Sequence, residues 1–425
     1  MLQPESRRDL ALATWGLFTG LVLLLLAGGL FSTLLGVRAE LQGVPTIVSS
    51  LISAAYYAGF LAGSRLTLRA LGKVGHIRVY VALASLLSAA ILTIGLTDSA
   101  WAWAPLRFIT GLCLAGQYVV AESWLNDLAS NANRGRLLAV YLVLTAAAFG
   151  VGQMSIFALD ARVITGFAIA SILTSLAVAP VALSEEAIAP SLTGGEHLSM
   201  RELARIVPTG VGTILLVGLA HGAMIGMAAV YATRVGLSTA RIGMFVAAIQ
   251  FGGVALMWPI SSASDDIDRR AVGVAAAIGT MIAAALLLLG PATSPMAVLL
   301  MGLVGGLSYP LYSIAGSYTN DWIEPEHLNA AASQLVTLYG IGAMCGPFAA
   351  AGLMIVLGPE GYYWSIIVLH ALVATFLVYR MKVWRAPLVK RPWSEVSLPA
   401  RAFFVPATIV AISRRRRPPD ADPRR

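Results

Sequence analysis

The sequence predicts an all-α membrane protein with twelve transmembrane helices in two pseudo-symmetric six-helix bundles. Of the 425 residues, 58% are hydrophobic and 12% are charged, whereas soluble domains carry about 25% charged residues. Apolar runs of about 20 residues, each long enough to cross a hydrocarbon core of roughly 30 Å as a helix, recur along the chain. The pattern of the first half also returns in the second half, which predicts two related bundles.

Twelve apolar runs, separated by short polar breaks, are expected to form the spans. They cover residues 11–35, 45–67, 78–97, 101–123, 137–158, 163–183, 207–230, 241–262, 271–290, 295–318, 328–357 and 362–380. We therefore divide the chain into an N-terminal bundle (1–183), a cytoplasmic linker (184–206), a C-terminal bundle (207–385) and a basic cytoplasmic tail (386–425).

The internal repeat is clearest where apolar helices end in polar residues. At an offset of 194 positions the matching residues are Gly111 and Gly305, Tyr118 and Tyr312, Asn126-Asp127 and Asn320-Asp321, and Gly152 and Gly346. Composition alone does not place rare polar residues at equivalent positions in this way. The repeat therefore predicts two homologous halves.

The distribution of Lys and Arg predicts the orientation, because cytoplasmic loops are enriched in both. With the N-terminus inside, cytoplasmic segments hold 24 of the 29 basic residues and external segments hold four. We therefore expect a multi-pass protein of the cytoplasmic membrane with both termini cytoplasmic. The net charge of +8 is then explained by loops near anionic lipid, and no nucleic-acid partner is expected. The first apolar run is too long for a signal peptide and is interpreted as the first span.

Several classes of function find no support in the sequence. Both cysteines, Cys113 and Cys345, fall within predicted spans, so we expect neither a disulfide nor a metal site. A phosphate-binding loop that would couple the protein to ATP is absent from the sequence, and no nucleophile lies beside a base. We expect a protein that is not an enzyme, needs no cofactor and acts as a monomer on a small molecule.

Ionisable residues within the spans are the candidates for function, because a charge there is costly unless it is paired or hydrated. The basic candidate is Arg107, one to two turns below the external surface, and the acidic one is Glu122 near the cytoplasmic end of the same span. Glu122 either carries a proton or pairs with Arg134 or Arg136. His221 either takes part in the site or is a hydrogen-bonded packing residue.

Two loops carry a further motif. After span 8 the chain reads Ser264-Asp265-Asp266-Ile267-Asp268-Arg269-Arg270, and after span 2 it has Gly72, Lys73, Gly75 and His76. Together with Arg107-x-x-x-Gly111, these loops resemble the signatures of the major facilitator superfamily. In the first loop, Gly72 stands where that signature has an acidic residue. The stretches at 75–78, 122–126 and 133–136 are similar to the bacterial YcaD-like branch of this superfamily.

This resemblance implies that spans 1, 4, 7 and 10 line a central cavity. It would place Arg107, Gln117 and Tyr118 beside His221, with Tyr309 and Tyr312 opposite, as substrate-binding residues. For the tyrosines, packing between helices is the alternative role.

The resemblance also implies a cytoplasmic gate, in which Asp265 lies near Arg136 at the start of span 5. The candidate gating residues are Asp265, Arg269, Arg270, Lys73, Arg136, Asp127 and Asp321. Arg38 and Arg234 follow spans 1 and 7 as an echo of the repeat, and each is either an external gate residue or an arginine that reaches the headgroups.

The predicted function is secondary active transport of a small anionic or polar organic solute by alternating access, coupled to protons through Glu122 or His221. The alternative is a multidrug/proton antiporter, because Gly340-x-Gly342-x-x-x-Gly346-Pro347 resembles an antiporter motif. Exporters of cationic drugs need buried acid, and the spans offer one carboxylate at their margin.

Overall fold

The computed structural model describes residues 7–128, 134–184, 198–324 and 327–383. Within these ranges, twelve helical segments are long and apolar enough to cross a membrane, which confirms the predicted number of spans. The helices are Arg7–Leu41 (α1), Thr46–Val74 (α2), His76–Leu96 (α3), Ala100–Leu128 (α4), Arg134–Met154 (α5), Thr165–Leu176 (α6), Val178–Ala182 (α7), Met200–Ile206 (α8), Pro208–Arg234 (α9), Thr239–Asp266 (α10), Arg269–Leu287 (α11), Pro295–Ser308 (α12), Pro310–Asn320 (α13), Leu328–Leu357 (α14) and Gly361–Val383 (α15). The predicted tail, 386–425, lies outside the described residues.

Most helices extend beyond the apolar runs that predicted them. A helix satisfies its own backbone hydrogen bonds, so it can continue into the polar headgroup region without cost to those groups. Asp265 and Asp266, for example, form the last turn of α10, beyond the apolar run 241–262 that predicted this helix. Between α2 and α3 the chain turns at Gly75, whose φ of 84° favours glycine.

The sixth and tenth spans are interrupted. The tenth is divided at Tyr309 into α12 and α13, because Pro310 has no backbone N–H to donate. The N–H of Tyr312 bonds to the carbonyl of Tyr309 at 3.2 Å, and not to the carbonyl of Ser308 four residues before it. The break therefore leaves the Ser308 carbonyl available for another donor in the core of the second bundle.

Equivalent glycines make equivalent helix contacts in the two halves. A side chain at Gly111 would meet the backbone of α2 at Tyr56, and one at its repeat mate Gly305 would meet α10 at Ile249. In the same way, Gly152 of α5 packs on α1, and its mate Gly346 of α14 packs on α9. Glycine lets helix backbones approach closely, so these pairs fix the same packing in both bundles.

The two bundles, α1–α7 and α9–α15, meet mainly along three helix pairs. These pairs are α1 with α9, α2 with α14, and α5 with α10. The internal repeat relates α2 to α10 and α5 to α14. The pair α2 and α14 is therefore equivalent to the pair α10 and α5, and the interface has the approximate two-fold symmetry that relates the two bundles.

Before the second bundle, α8 begins with a capping box. Glu202 donates its N–H to the Ser199 hydroxyl at 3.2 Å, and the Ser199 N–H bonds to the Glu202 carboxylate at 2.9 Å. The hydrogen bond from the Ser199 backbone lowers the pKa of Glu202 below its usual value. The carboxylate is therefore ionised at neutral pH, and the start of α8 is fixed.

Candidate functional site

A cavity lies between the bundles at the level of Arg107. Helices α1 to α5 of the first bundle and α9 and α10 of the second line it, and it offers about 70 Å³ to the centres of water-sized molecules. A space of this size is large enough to hold several waters. Arg107 lies about 10 Å along α4 from its first residue, at a rise of about 1.5 Å per residue.

The guanidinium of Arg107 is the charged group of this cavity. Its central carbon lies 5.0 Å from the centre of the Phe31 ring and 4.4 Å from that of Tyr56. These cation–π contacts partly stabilise the positive charge but leave the N–H donors unused. Among the described residues no carboxylate lies within ion-pair distance of Arg107, so its five donors are available to an acceptor in the cavity.

Two further polar groups face this space without a partner among the described residues. The hydroxyl of Tyr56 is buried without a hydrogen bond, and so is the side-chain oxygen of Gln153. Both residues line the cavity, and they are 7% and 4% exposed. A buried polar group without a hydrogen bond is unfavourable, so both positions favour a bound solute or water.

Four further hydroxyl groups of the lining are neutral and already use their protons. Ser32 and Thr33 donate to the carbonyl of Gly29, Thr110 donates to that of Arg107, and Ser53 donates to that of Gly226. Among the described lining residues, none carries a negative charge. The charge of the described lining therefore comes from Arg107 alone and is positive, which suits an anion.

The structure brings Arg107 to this cavity but does not bring the other predicted substrate-binding residues there. Gln117 donates to the Tyr80 carbonyl at 3.2 Å, and the Tyr118 ring packs 6.2 Å from that of Phe60. These two side chains lie two to three turns further along α4 than Arg107 and are buried within the first bundle.

The other three predicted binding residues are packed inside the second bundle. His221 accepts or donates at two contacts there: its Nδ1 lies 2.9 Å from the Tyr339 hydroxyl, and its Nε2 lies 3.1 Å from the Ser308 carbonyl. Because a carbonyl only accepts, Nε2 must carry the proton, and Nδ1 then accepts from Tyr339. His221 thus binds the carbonyl that the break in the tenth span releases.

This polar chain continues to a second buried histidine. The Ser308 hydroxyl lies 2.8 Å from Nε2 of His370, whose Nδ1 lies 2.8 Å from the Ile366 carbonyl. By the same reasoning, Nδ1 of His370 carries the proton and Ser308 donates to Nε2. The neighbouring tyrosines also pack here: Tyr309 donates to Gln250 at 3.2 Å, and the Tyr312 ring makes an edge contact with Tyr339.

Glu122 is buried, with 9% of its surface exposed, on the same helix as Arg107. The two residues are fifteen positions apart, which corresponds to about 22 Å along the helix axis. Glu122 and Arg107 therefore do not share a cavity. A proton on Glu122 could influence the Arg107 cavity only through movement of the helices.

An ion pair joins the two bundles at the face that carries the connections 42–45 and 235–238. The distribution of Lys and Arg predicts that this face is external. Arg234 at the end of α9 donates to both carboxylate oxygens of Glu40 at 2.8 and 2.7 Å, and to the Thr46 hydroxyl at 3.0 Å. The side chains of Arg234 and Glu40 are 22% and 18% exposed. We call these three residues the latch.

The latch lies beyond a second, smaller cavity that continues from the first. Arg107, Ser32 and Ser53 line both cavities, and the smaller one extends along α1 and α2 as far as Ala39 and Ser49. The route from the main cavity towards the predicted external face therefore runs under the latch. Arg38, by contrast, pairs with Asp98 at 3.0 Å inside the first bundle, so the two related arginines have different roles.

At the predicted cytoplasmic face, several of the predicted gating residues form one cluster within the second bundle. Arg269, with 1% exposure, bonds to Asp321 at 2.7 Å and to Asp265 at 2.8 Å. Arg270 makes a separate pair with Asp268 at 2.8 Å. The described contacts thus connect Asp265 to its own bundle.

The remaining gating candidates lie at the opposite bundle. Lys73 is exposed in the last turn of α2. The side chains of Asp127 and Arg136 lie outside the described residues. Their gating role, like that of Asp265, stays a prediction.

The sequence analysis did not select Tyr56 or Gln153 for the cavity. Tyr56 stands beside a glycine pair typical of helix packing, and Gln153 is a neutral residue at the end of an apolar helix. The only available signal was that a glutamine within an apolar span requires a partner. That signal does not tell which cavity the side chain faces.

Two helical bundles with a positively charged cavity between them are an architecture found in membrane transporters. Two family models match the chain: the Major Facilitator Superfamily model over residues 210–419 and the Sugar (and other) transporter model over 26–184. The chain belongs to the major facilitator superfamily, which confirms the resemblance seen in its loops.

Relatives of similar length place the chain near the predicted branch. It is 29% identical to an MFS-type transporter of Enterobacter sp. (strain 638) over 349 residues, covering 80% of this chain and 88% of the relative. It is 27% identical to the MFS-type transporter YcaD of Escherichia coli (strain K12 / DH10B) over 344 residues, with the same coverage.

Solved structures show the same fold at low identity. The nucleoside transporter NupG matches with a TM-score of 0.70 and 11% identity, covering 87% of this chain and 98% of NupG. A bacterial homolog of the human lysosomal transporter Spinster, in an inward-facing and occupied conformation, matches with a TM-score of 0.72 and 13% identity, covering 87% and 96%. At such identities the comparison concerns the fold alone.

Proposed function

We propose that this protein is a secondary active transporter that moves a small organic anion across the cytoplasmic membrane without chemically changing it. The observation that supports this most is Arg107: a permanent cation in a cavity between the bundles, with no carboxylate partner among the described residues. In a low-dielectric site a guanidinium favours an anion, and its planar donors suit a carboxylate.

The alternative, export of cationic drugs, receives less support. A cation in this cavity would be repelled by Arg107 and would find no negative charge among the described lining residues. The glycine–proline motif that suggested an antiporter packs α14 against α9, where Gly342 and Gly346 contact the backbone of Leu215 and Leu219. That contact is one of helix packing, and it has an equivalent in the first bundle.

Alternating access would arise from rocking of the two bundles about the cavity. The latch closes the route under the external face in this conformation, so opening to that side requires Arg234 to leave Glu40. One chain forms the whole cavity between the bundles, so each monomer would bind its solute independently.

We further propose that protons drive the cycle through Glu122. It lies on the helix that carries Arg107, so its protonation and the position of the cavity residue are mechanically connected. His221 is a weaker candidate because both of its ring nitrogens are used within the second bundle. Proteoliposomes tested with and without an inward proton gradient would show stimulated anion uptake by the wild type and no stimulation of Glu122→Gln.

The sign of the cargo can be tested by binding. Purified full-length protein is titrated with sodium butyrate, sodium succinate and ethidium at constant ionic strength, and the melting temperature is followed, because a ligand of the folded state raises it. We expect at least one of the two anions to stabilise the wild type. Arg107→Lys should weaken that binding by about tenfold or more, because a point charge does not replace the two-pronged contact.

The matched control is Arg162→Lys, which makes the same change at an arginine with 69% of its side chain exposed. It should bind as the wild type does. Stabilisation by ethidium alone, or export of ethidium that Glu122→Gln abolishes and Arg107→Lys retains, would contradict the anion proposal and favour the exporter.

A further inference from the structure

We propose that the Arg107 cavity selects a small monocarboxylate with a short apolar body and rejects dicarboxylates and zwitterions of the same length. This inference rests on the proposed transport of an anion and makes its substrate class specific. Four features of the cavity lead to it: its charge, the arrangement of its donors, its apolar wall and its size.

The charge of the lining limits the ligand to one negative charge. Arg107 is the only charged side chain among the described residues that line the cavity. One carboxylate neutralises it. A second carboxylate on the same molecule would be buried against uncharged groups, and an unpaired buried charge is strongly unfavourable. A phosphate monoester, which carries close to two charges at neutral pH, is disfavoured for the same reason.

The donors of the cavity match the two oxygens of one carboxylate. The rings of Phe31 and Tyr56 lie against the guanidinium at 5.0 and 4.4 Å, so they restrict how Arg107 can be approached. The Tyr56 hydroxyl, which makes no hydrogen bond to another described residue, lies in the same lining. The Gln153 side chain lies there too, and its amide NH2 can donate to a carboxylate. A carboxylate can accept about four hydrogen bonds, enough to engage all three side chains.

The rest of the wall is apolar and would surround the body of the ligand. It is formed by Leu87, Ile91, Leu114, Phe149, Ile225 and Val246. An ammonium group on the ligand would face this wall, or neutral hydroxyl oxygens, with no negative charge to offset the loss of its hydration. The wall therefore disfavours amino acids as well as dianions.

The volume favours a short body. A cavity of about 70 Å³ holds several waters, and a carboxylate with a short carbon chain, such as butyrate, would take their place.

The test compares four probes of equal chain length. Butyrate, succinate, 4-aminobutyrate and butyramide share a chain of four carbons and differ in the polar groups at its ends, and so in their charge. Each is titrated against the purified full-length protein at constant ionic strength, with chloride as the added salt in the reference. We expect butyrate to bind about tenfold or more tightly than each of the other three, as the loss of a charge-assisted contact or a buried unpaired charge predicts.

Gln153→Glu should change which ligand the cavity prefers. A purely structural role of Gln153 would not predict such a change. The substitution is nearly isosteric and places a negative charge in the lining that also contains Arg107. It should weaken butyrate binding and strengthen 4-aminobutyrate binding, so that the ratio of the two affinities changes by about tenfold or more. The melting temperature of the unliganded variant reports separately whether it folds.

The possible failures are distinguishable. Equal binding of succinate and butyrate, both lost in Arg107→Lys, would overturn the monocarboxylate inference and leave the anion transporter standing. Binding of butyramide or ethidium alone would overturn both. A folded wild type that none of the probes stabilises would count against the inference, since butyrate meets each of its four criteria.

Discussion

At the scale of single residues, the cavity depends on groups that are polar but unused. Tyr56 and Gln153 are almost completely buried, yet their oxygen atoms have no hydrogen bond to another described residue. In a packed interior such groups destabilise the fold unless something else binds them. A ligand that donates or accepts there is stabilised by groups already in position.

We therefore expect Tyr56→Phe to weaken anion binding by about tenfold, the value of one hydrogen bond to a charged group, while the melting temperature of the unliganded protein does not fall. Titration calorimetry of the purified variant provides the affinity. The matched control is Tyr379→Phe, because Tyr379 is 57% exposed on α15. Unchanged affinity in Tyr56→Phe would remove Tyr56 from the site.

His221 illustrates a buried polar residue of the opposite kind, with both ring nitrogens in use. Replacing it with Phe leaves the Ser308 carbonyl and the Tyr339 hydroxyl without partners, at a cost of about 1–3 kcal/mol for each group. We expect a clear fall in melting temperature. The pH profile of transport in the milder variant His221→Gln should stay that of the wild type, whereas a proton-coupling role would flatten it.

At the scale of helices, close contact through glycine determines the packing of each bundle. A methyl group at Gly111 or at Gly305 would overlap the backbone of the facing helix, which cannot move as a side chain can. A methyl group at Gly352, also within a helix, would meet nothing within 4 Å. The same substitution should therefore have opposite effects at these positions.

We predict that Gly111→Ala and Gly305→Ala each lower the melting temperature and the yield of folded protein. Gly352→Ala should be neutral or slightly stabilising, because alanine favours a helix over glycine by about 1 kcal/mol. Thermal unfolding in detergent measures all three. Equal effects at the three sites would mean that helix propensity, and not helix contact, decides the result.

At the scale of the whole molecule, the latch connects the two bundles. Its ion pair is partly buried and bidentate, and such a pair contributes about 1 kcal/mol. We propose that this energy stabilises a conformation in which the predicted external face is closed. Removing it should shift the conformational equilibrium by roughly fivefold without affecting either bundle internally.

We expect Glu40→Gln to increase the distance between spin labels at Gln42 and Ser238, in a chain whose two native cysteines have been replaced. The exchange of charges, Glu40→Arg with Arg234→Glu, should restore the short distance. Asp98→Asn, which breaks the Arg38 pair inside one bundle, is the control and should leave the distance unchanged. If Glu40→Gln also leaves it unchanged, the latch does not hold the face closed.

The predicted cytoplasmic gate is testable in the same way. Asp265→Asn removes one of the two carboxylates that hold Arg269 and should impair turnover while insertion into the membrane is retained. Labels on the loops that follow α2 and α10 should then move apart. Unchanged distances would limit Asp265 to a structural role within its bundle.

The sequence by itself determined the number of spans, the two related halves and the position of Arg107. Hydrophobic runs and repeated glycines are local properties, and a charge within a span requires an explanation wherever the helix packs. The repeat pairs Gly111 with Gly305 and Gly152 with Gly346 were visible as identities before their contacts were known.

Only the tertiary structure decided which polar residues share a space with Arg107. The rotation of each helix about its axis is set by contacts with its neighbours, and that rotation turns Tyr56 and Gln153 towards the cavity while His221 faces Ser308 and Tyr339. The pairing of Arg234 with Glu40 likewise depends on how the two bundles meet. Helix periodicity gives each residue a face, but packing decides what that face contacts.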